Sequence, residues 1–158
     1  MMSSTRSTRD RATPAEILSS DVSRLMYLVD TNVLSEARRG SSEARTWFRS
    51  VDPTTIYLSV VTLGEIMKGI ALKLRADVRA AAALMAWLEQ LRHDHNDRIF
   101  PVSDRIALEW GRLDAERPRG MADGLIAATA VVHTKIIVTR NAGDFSDTGI
   151  PVINPWSR

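Results

Sequence analysis

Four carboxylates occupy comparable places along the chain. Asp30 follows the apolar run Met26-Tyr-Leu-Val29, and Glu65 lies six residues past Ser59. Asp123 heads the apolar run that starts at Gly124, and Asp144 follows Thr139-Arg-Asn141. Ionised carboxylates gathered without a partner raise each other's pKa, so some of them protonate. A divalent cation removes that penalty. An all-oxygen ligand set with no His or Cys nearby favours Mg²⁺ or Mn²⁺ over zinc. One or two such ions orient phosphate oxygens, lower the pKa of an attacking water and stabilise the leaving oxygen. The chemistry expected of such a cluster is phosphodiester hydrolysis.

Each acid also has a plainer reading. Asp30, Thr31 and Asn32 are all good acceptors for the free amides of a helix start. Asp123 suits a cap, Glu65 a helix surface and Asp144 a turn. Glu65 points only approximately away from Leu63 and Ile70, so its direction stays open. Four such coincidences at one sheet edge argue for a shared site.

The elements that must position these acids alternate between the two periodicities. A first strand ends at Val29 and leads into a short helix closing at Gly40. Residues 41–50 read as a helix with Ala44, Trp47 and Phe48 on one face. Thr55-Ile-Tyr-Leu-Ser59 reads as a strand feeding a helix with Leu63, Ile66, Met67 and Ile70 on its apolar side. A helix over 75–92 follows, broken at 93–97, then a strand over 98–102 and a helix capped by Ser103 or Asp104 that runs to Glu116. After the loop 117–120 come the helix headed by Asp123, an all-buried strand Lys135-Ile-Ile-Val-Thr139, a loop with a short helix over 141–147, and an edge strand over 151–154. This alternation with short links predicts an α/β fold, a three-layer α/β/α sandwich around a parallel sheet. Right-handed crossovers then bring the carboxyl ends of the strands to one edge, where such folds carry their chemistry.

At 158 residues the chain fits a single domain. It has no cysteine, which excludes disulfides, thiolate metal sites and cysteine nucleophiles and fits a reducing cytoplasm. The formal charge is only +2, so nucleic-acid binding must rest on where the arginines lie and not on bulk charge. No apolar run approaches the roughly 18 residues of a membrane span, and a soluble protein without membrane association is expected. Residues 1–25, rich in Ser, Thr and Arg and lacking an apolar signal core, are expected to form a disordered extension, with 26–158 as the domain and Met26 as a natural start. His93 and His95 stand two apart in a polar turn, with no further His nearby in sequence, and are read as ordinary turn residues.

The sequence resembles the PIN-domain ribonucleases, and specifically the VapC toxins of type II toxin–antitoxin pairs, with a FitB-like character. The resemblance covers residues 26–156. It rests on YLVDTNVLSE, SVVTLGEIMKGI, ADGLIAATAV and IVTRNAGDF with the closing GIPVINPW, of which the last two blocks are the most specific. It implies a Mg²⁺-dependent (or Mn²⁺-dependent) endoribonuclease with Asp30, Glu65, Asp123 and Asp144 as catalytic and metal-binding quartet. Asp30 and Asp123 would be the direct ligands; Glu65 and Asp144 would act through water, activate the nucleophile or hold a second ion. Thr31, Asn32, Ser59, Thr139 and Asn141 match the polar positions that orient these acids or the scissile phosphate. Two departures stand out. The stretch between Glu116 and Asp123 is short, and Gly124 replaces the usual Ala, which is expected to loosen the helix start that aims Asp123.

An acidic pocket repels RNA unless cations surround it. Candidate phosphate contacts are Arg140 above all, then Arg117, Arg119, Arg39 and Lys68, with Arg38 and Lys73 beside them. The resemblance further implies homodimerisation and neutralisation by a VapB-type or other small DNA-binding antitoxin, docked on an apolar groove of the first helices. The rivals are a non-catalytic PIN-fold binding or scaffold module, a DNA-specific nuclease, since nothing in the sequence detects the 2′-OH, and a haloacid-dehalogenase-type phosphatase. The last would want an acid at position 32, where Asn stands.

Overall fold

The structure, a computed structural model, describes residues 25–157. Of the expected N-terminal extension only Leu25 falls within them; residues 1–24 lie outside. Strand β1 (Tyr27–Val29) leads into helices α1 (Thr31–Arg39) and α2 (Ser42–Ser50), and a 3₁₀ turn (Pro53–Thr55) into β2 (Ile56–Ser59). Then come α3 (Val60–Leu74), α4 (Val78–Asp94), β3 (Ile99–Phe100), α5 (Asp104–Glu116), α6 (Met121–His133), β4 (Ile136–Val138), a second 3₁₀ turn (Ala142–Phe145) and β5 (Val152–Ile153). The strands form one sheet in the order β3-β2-β1-β4-β5, and all four pairings are parallel. β1 and β4 are central and fully buried, as their unbroken apolar runs require.

Side chains alternate across the sheet and divide the core in two. Tyr27, Val29, Ile56, Leu58, Ile136 and Val138 face a cluster completed by α1, α2, α3 and α4. Leu28 and Ile137 face the other, completed by Ile106 and Leu113 of α5, the Ile126–Ala130 run of α6 and Phe145. Helices thus cover both faces, giving the expected three layers. Trp47, read as core, is half-buried and meets Tyr27 edge-on with ring centroids 5.3 Å apart.

Several local expectations change. Helix α1 closes at Gly40 as expected, because a left-handed residue (φ 105°) lets its N–H reach the Ala37 and Glu36 carbonyls. Helix α4 starts at Val78 and not Arg75, because the Asp77 carboxylate accepts from Ala80 N at 3.0 Å and fixes the cap there. It runs through His93, so the expected polar turn starts later, and His95 Nδ1 lies 2.9 Å from the Leu91 carbonyl. The strand expected over 98–102 shortens to Ile99–Phe100, since Pro101 has no N–H to extend the ladder. Met67 of α3 is exposed, not on the buried stripe; that stripe is Thr62, Ile66 and Ile70, spaced by four. Among the described residues no helix is long and apolar enough to cross a membrane.

Candidate active site

Asp30 is held at the carboxyl end of the central strand β1, where its backbone N–H donates to the Val138 carbonyl of β4 at 2.9 Å. Its side chain answers both readings of the sequence. Oδ1 accepts from the first amide of α1, Thr31 N, at 2.8 Å, a capping bond. Oδ2 accepts from the Thr139 hydroxyl at 2.8 Å and from Asn32 Nδ2 at 3.1 Å. The same threonine Oγ1 accepts from Asn141 N, and Asn32 Oδ1 accepts from Arg140 N, both at 3.1 Å. Residues 107 to 109 positions apart are thereby locked across the β1–β4 seam.

Glu65 joins the same network from α3. The Thr31 hydroxyl donates to its Oε1 at 2.7 Å, and Thr31 Oγ1 also lies 3.2 Å from the buried Thr62 Oγ1. The open question of Glu65's direction is resolved: it faces the strand end. Thr62 was not among the sequence candidates, although it precedes Glu65 by three, the spacing that puts two residues on one helix face.

Burial pushes the Asp30 carboxyl up to about 6, and the negative charges of Asp123 and Glu65 add to the rise, while the Thr139 and Thr31 bonds pull the other way. Asp123 is also raised, first by burial and then by the Asp144 carboxylate, with Arg119 opposing. The fields thus link Glu65 to Asp30, Asp30 to Asp123 and Asp123 to Asp144. Asp123 does not cap its helix: α6 begins two residues earlier, with Gly120 as N-cap, so Asp123 sits in the first turn, where the helix dipole favours its ionised form.

Gly124, expected to loosen the helix start, lies in a packed setting. Gly124 is buried, and a Cβ there would lie 2.7 Å from Trp110 Cδ1 and 2.8 Å from Nε1. The missing side chain leaves room for the α5 indole against α6, next to Asp123. Trp110 Nε1 is buried without a hydrogen-bond partner.

Asp144 is exposed and rests in a different setting. Arg119, with its side chain only 6% exposed, donates to the Asp144 carbonyl at 2.9 Å and to Asp147 Oδ2 at 2.5 Å. Arg117 donates to the Gly143 carbonyl at 3.0 Å and to Asp147 Oδ1 at 3.1 Å, and lies 3.7 Å from Asp144 Oδ1. Both arginines, expected as phosphate contacts, therefore brace the turn that carries Asp144, and Arg119 is not available at the surface. Asp147, their shared anchor, had no signal in the sequence beyond being acidic.

The other candidates divide. Ser59 caps α3 by accepting from Val61 N at 3.0 Å and takes no part in the acid network. Arg140 is exposed, with its guanidinium 4.9 Å above the Trp156 ring and 3.8 Å from Glu36. Arg39 pairs with Glu36 at 2.7 Å, and Lys68 is exposed.

Among the described residues no three acids or histidines close around a single point. The donor set nonetheless fits Mg²⁺, which keeps several of its waters and is bound through one or two carboxylates plus substrate phosphate. Burial and the neighbouring acids raise two of these carboxyls, and a bound cation would favour their ionised forms.

The PIN domain family model matches residues 27–151. Among curated relatives, the chain is 33% identical over 139 residues to Toxin FitB of Neisseria gonorrhoeae, covering 83% of this chain and 99% of that one. It is 30% identical over 138 residues to VapC ribonuclease Y4jK of Sinorhizobium fredii, covering 83% and 98%. Among solved structures, FitAcB from Neisseria gonorrhoeae superposes with a TM-score of 0.76 at 32% identity, over 84% of this chain and all of that one. FitAB bound to the IR36 DNA fragment gives 0.75 at 31% identity, over 84% and 97%.

Proposed function

The chain belongs to the PIN domain family, and from that premise we propose that it is a divalent-metal-dependent endoribonuclease toxin, held in check by a cognate antitoxin. The observation that carries the reading is the arrangement around Asp30: a carboxyl buried to 3% exposure, raised to about 6, and oriented by Thr31, Asn32 and Thr139 instead of being paired with a cation. A buried acid so placed is held ready for a positive charge that the fold does not itself supply.

Asp30 and Asp123 would hold a Mg²⁺ or Mn²⁺ ion, with Glu65 and Asp144 at its flanks. When bound, such an ion supplies Lewis-acid polarisation of the phosphate and a more acidic water. The chain's own residues set the geometry. Thr31 fixes the Glu65 carboxylate at 2.7 Å, which leaves its other oxygen free to accept a proton from a nucleophilic water. Thr139 and Asn32 keep Asp30 Oδ2 in one orientation. Arg117 and Arg119 hold the Asp144 turn against the α5–α6 loop.

The partner reading draws on the DNA-bound FitAB structure and on a toxin–antitoxin complex from Klebsiella pneumoniae at 30% identity, with a TM-score of 0.60 and coverage of 84% of this chain and 99% of that one. The proposal extends to a protein that acts in the cytoplasm as a homodimer and binds a small DNA-binding antitoxin. The open spacing of the acids favours one rival, a PIN fold that binds without cutting.

The test is cleavage of a mixed cellular RNA pool, with a matched DNA pool beside it, by purified protein in Mg²⁺, in EDTA, and as Asp30→Asn and Asp123→Asn. Metal-dependent cutting of RNA lost in either variant is expected. Folded protein that neither cuts nor binds Mn²⁺ by calorimetry would leave the binding module standing in its place, and cutting confined to DNA would replace the substrate.

A further inference from the structure

A recess of about 580 Å³ opens directly from the acidic network, sharing Thr31 and Glu65 with it. It runs between α1, α3 and α4, and its far walls carry Arg38, Arg39, Lys73 and the Trp87 indole. Glu65 is the single acid on its walls. Arg39 is partly neutralised by Glu36, whereas Arg38 and Lys73 have no carboxylate partner among the described residues. The Arg38 guanidinium lies 5.5 Å from the Trp87 ring centroid, and Trp87 is half-buried, so a flat, cation-topped platform stands beside the recess.

Three features constrain the occupant. Cations exceed acids on the walls, so the ligand is anionic. The recess continues into the candidate catalytic acids, so its ligand is continuous with the scissile group. An arginine stacked on an aromatic ring is the surface on which an unpaired base stacks, and base–aromatic stacking tolerates any sequence because every base has a π-face. A duplex keeps its bases inside and offers such a platform only its backbone.

We propose that this recess is the binding cleft for the single-stranded segment of the RNA flanking the cut phosphate, with Arg38 and Lys73 on backbone phosphates and one base stacked on the Arg38–Trp87 platform. The proposal rests on the ribonuclease reading and assigns Trp87, Arg38 and Lys73, none of which touches the acids, as residues that hold substrate. They set KM and strand preference and leave the chemical step to the carboxylates.

The test is fluorescence anisotropy of a labelled mixed-sequence 12-nucleotide RNA, single-stranded or annealed to its complement, titrated with full-length protein in EDTA so that nothing is cut. The single strand is expected to bind more tightly than the duplex. Trp87→Leu should weaken it about tenfold, within the range of a lost base stack. Arg38→Gln and Lys73→Gln should each reduce the dependence of log K on log salt by about 0.7, as for one lost phosphate contact on a single strand. Because Trp87 also packs on the core, the two surface variants keep the test decisive if Trp87→Leu folds poorly. In Mg²⁺ all three should raise KM with kcat unchanged. Equal binding of single strand and duplex, or unchanged affinity and salt slope in Arg38→Gln and Lys73→Gln, would overturn the cleft while wild-type cleavage still stood. Unchanged RNA binding combined with lost neutralisation by a protein partner would give the recess to that partner instead. No cleavage and no Mn²⁺ binding by the wild type would instead remove the ribonuclease reading itself.

Discussion

The two ends of the acid network are built on opposite principles. At the deep end Asp30 is buried among hydroxyls and amides, with no cation in contact, and its carboxyl is raised to about 6. At the rim Asp144 is exposed, its turn braced by Arg117 and Arg119 through Asp147, whose own carboxyl is held low by Arg119 and its other hydrogen-bond partners despite the opposing effect of burial. One end carries its own positive charge; the other has the shape of a ligand and lacks the charge to match. That difference is what the proposed function draws on when it puts the ion at Asp30 and gives the Arg117 and Arg119 brace the task of holding the Asp144 turn.

The sharpest way to break the contrast is Asp30→Asn. If Asp30 is a metal ligand, metal-dependent cleavage should fall by about a thousandfold, the scale of the several kcal/mol that a bound ion contributes. Stability should move the other way. A carboxyl whose folded pKa lies above its ordinary 3.8 binds its proton more tightly in the folded state. Its cost to the metal-free fold is absent below about pH 4, grows through pH 6 and then levels at roughly 3 kcal/mol. The amide removes that cost but loses part of the acceptance from Thr139 and Asn32. Thermal melts in EDTA should therefore show the variant gaining on the wild type as pH rises from 4 to 7. A constant offset across that range would contradict a buried, ionised Asp30.

Next in size is the pH dependence of ion binding. If an ion binds at Asp30, the carboxyl proton must leave first, so Mn²⁺ affinity by calorimetry should drop about tenfold per unit below pH 6 and flatten above it. A flat profile between pH 5 and 7 would place the ion elsewhere.

At the rim, Arg119→Ala removes a buried side chain and leaves the Asp144 carbonyl and Asp147 short of a donor, so about 1–3 kcal/mol of stability should be lost in urea melts. Arg117→Gln, at a side chain 43% exposed, should cost under about 1 kcal/mol. Equal effects would show that the brace does not depend on burial.

Gly124→Ala tests the packing next to Asp123. The added methyl meets the Trp110 ring under 3 Å, so the protein should lose about 1–3 kcal/mol, recovered in part by Trp110→Phe. A neutral Gly124→Ala would mean that the indole yields freely.

The layer order, the place of Asp30 and Asp144 just after strands and the capping role of Asp30 were legible in the sequence, because short unbroken apolar runs followed by polar residues mark the ends of buried parallel strands. What stayed hidden depends on pairings remote in sequence. Nothing local to Asp147 says that Arg117 and Arg119, 30 and 28 residues earlier, will both reach it. Gly124 read alone is a flexible helix position, and only Trp110, on another helix, turns it into a fitted contact. Met67 stands in solvent while Thr62 is buried because helical phase is set by which residues meet the sheet, whereas hydrophobicity alone had assigned Met67 to the apolar side.

The outermost strands, β3 and β5, are two residues long. A ladder that short offers an incoming strand almost no backbone to register against, so the sheet is closed to extension by a neighbouring molecule. Among the described residues the apolar surface open to a neighbour therefore lies on helices, with Met67, Leu72 and Leu74 of α3 standing in solvent, and the edges of the sheet offer little template for strand-to-strand polymerisation.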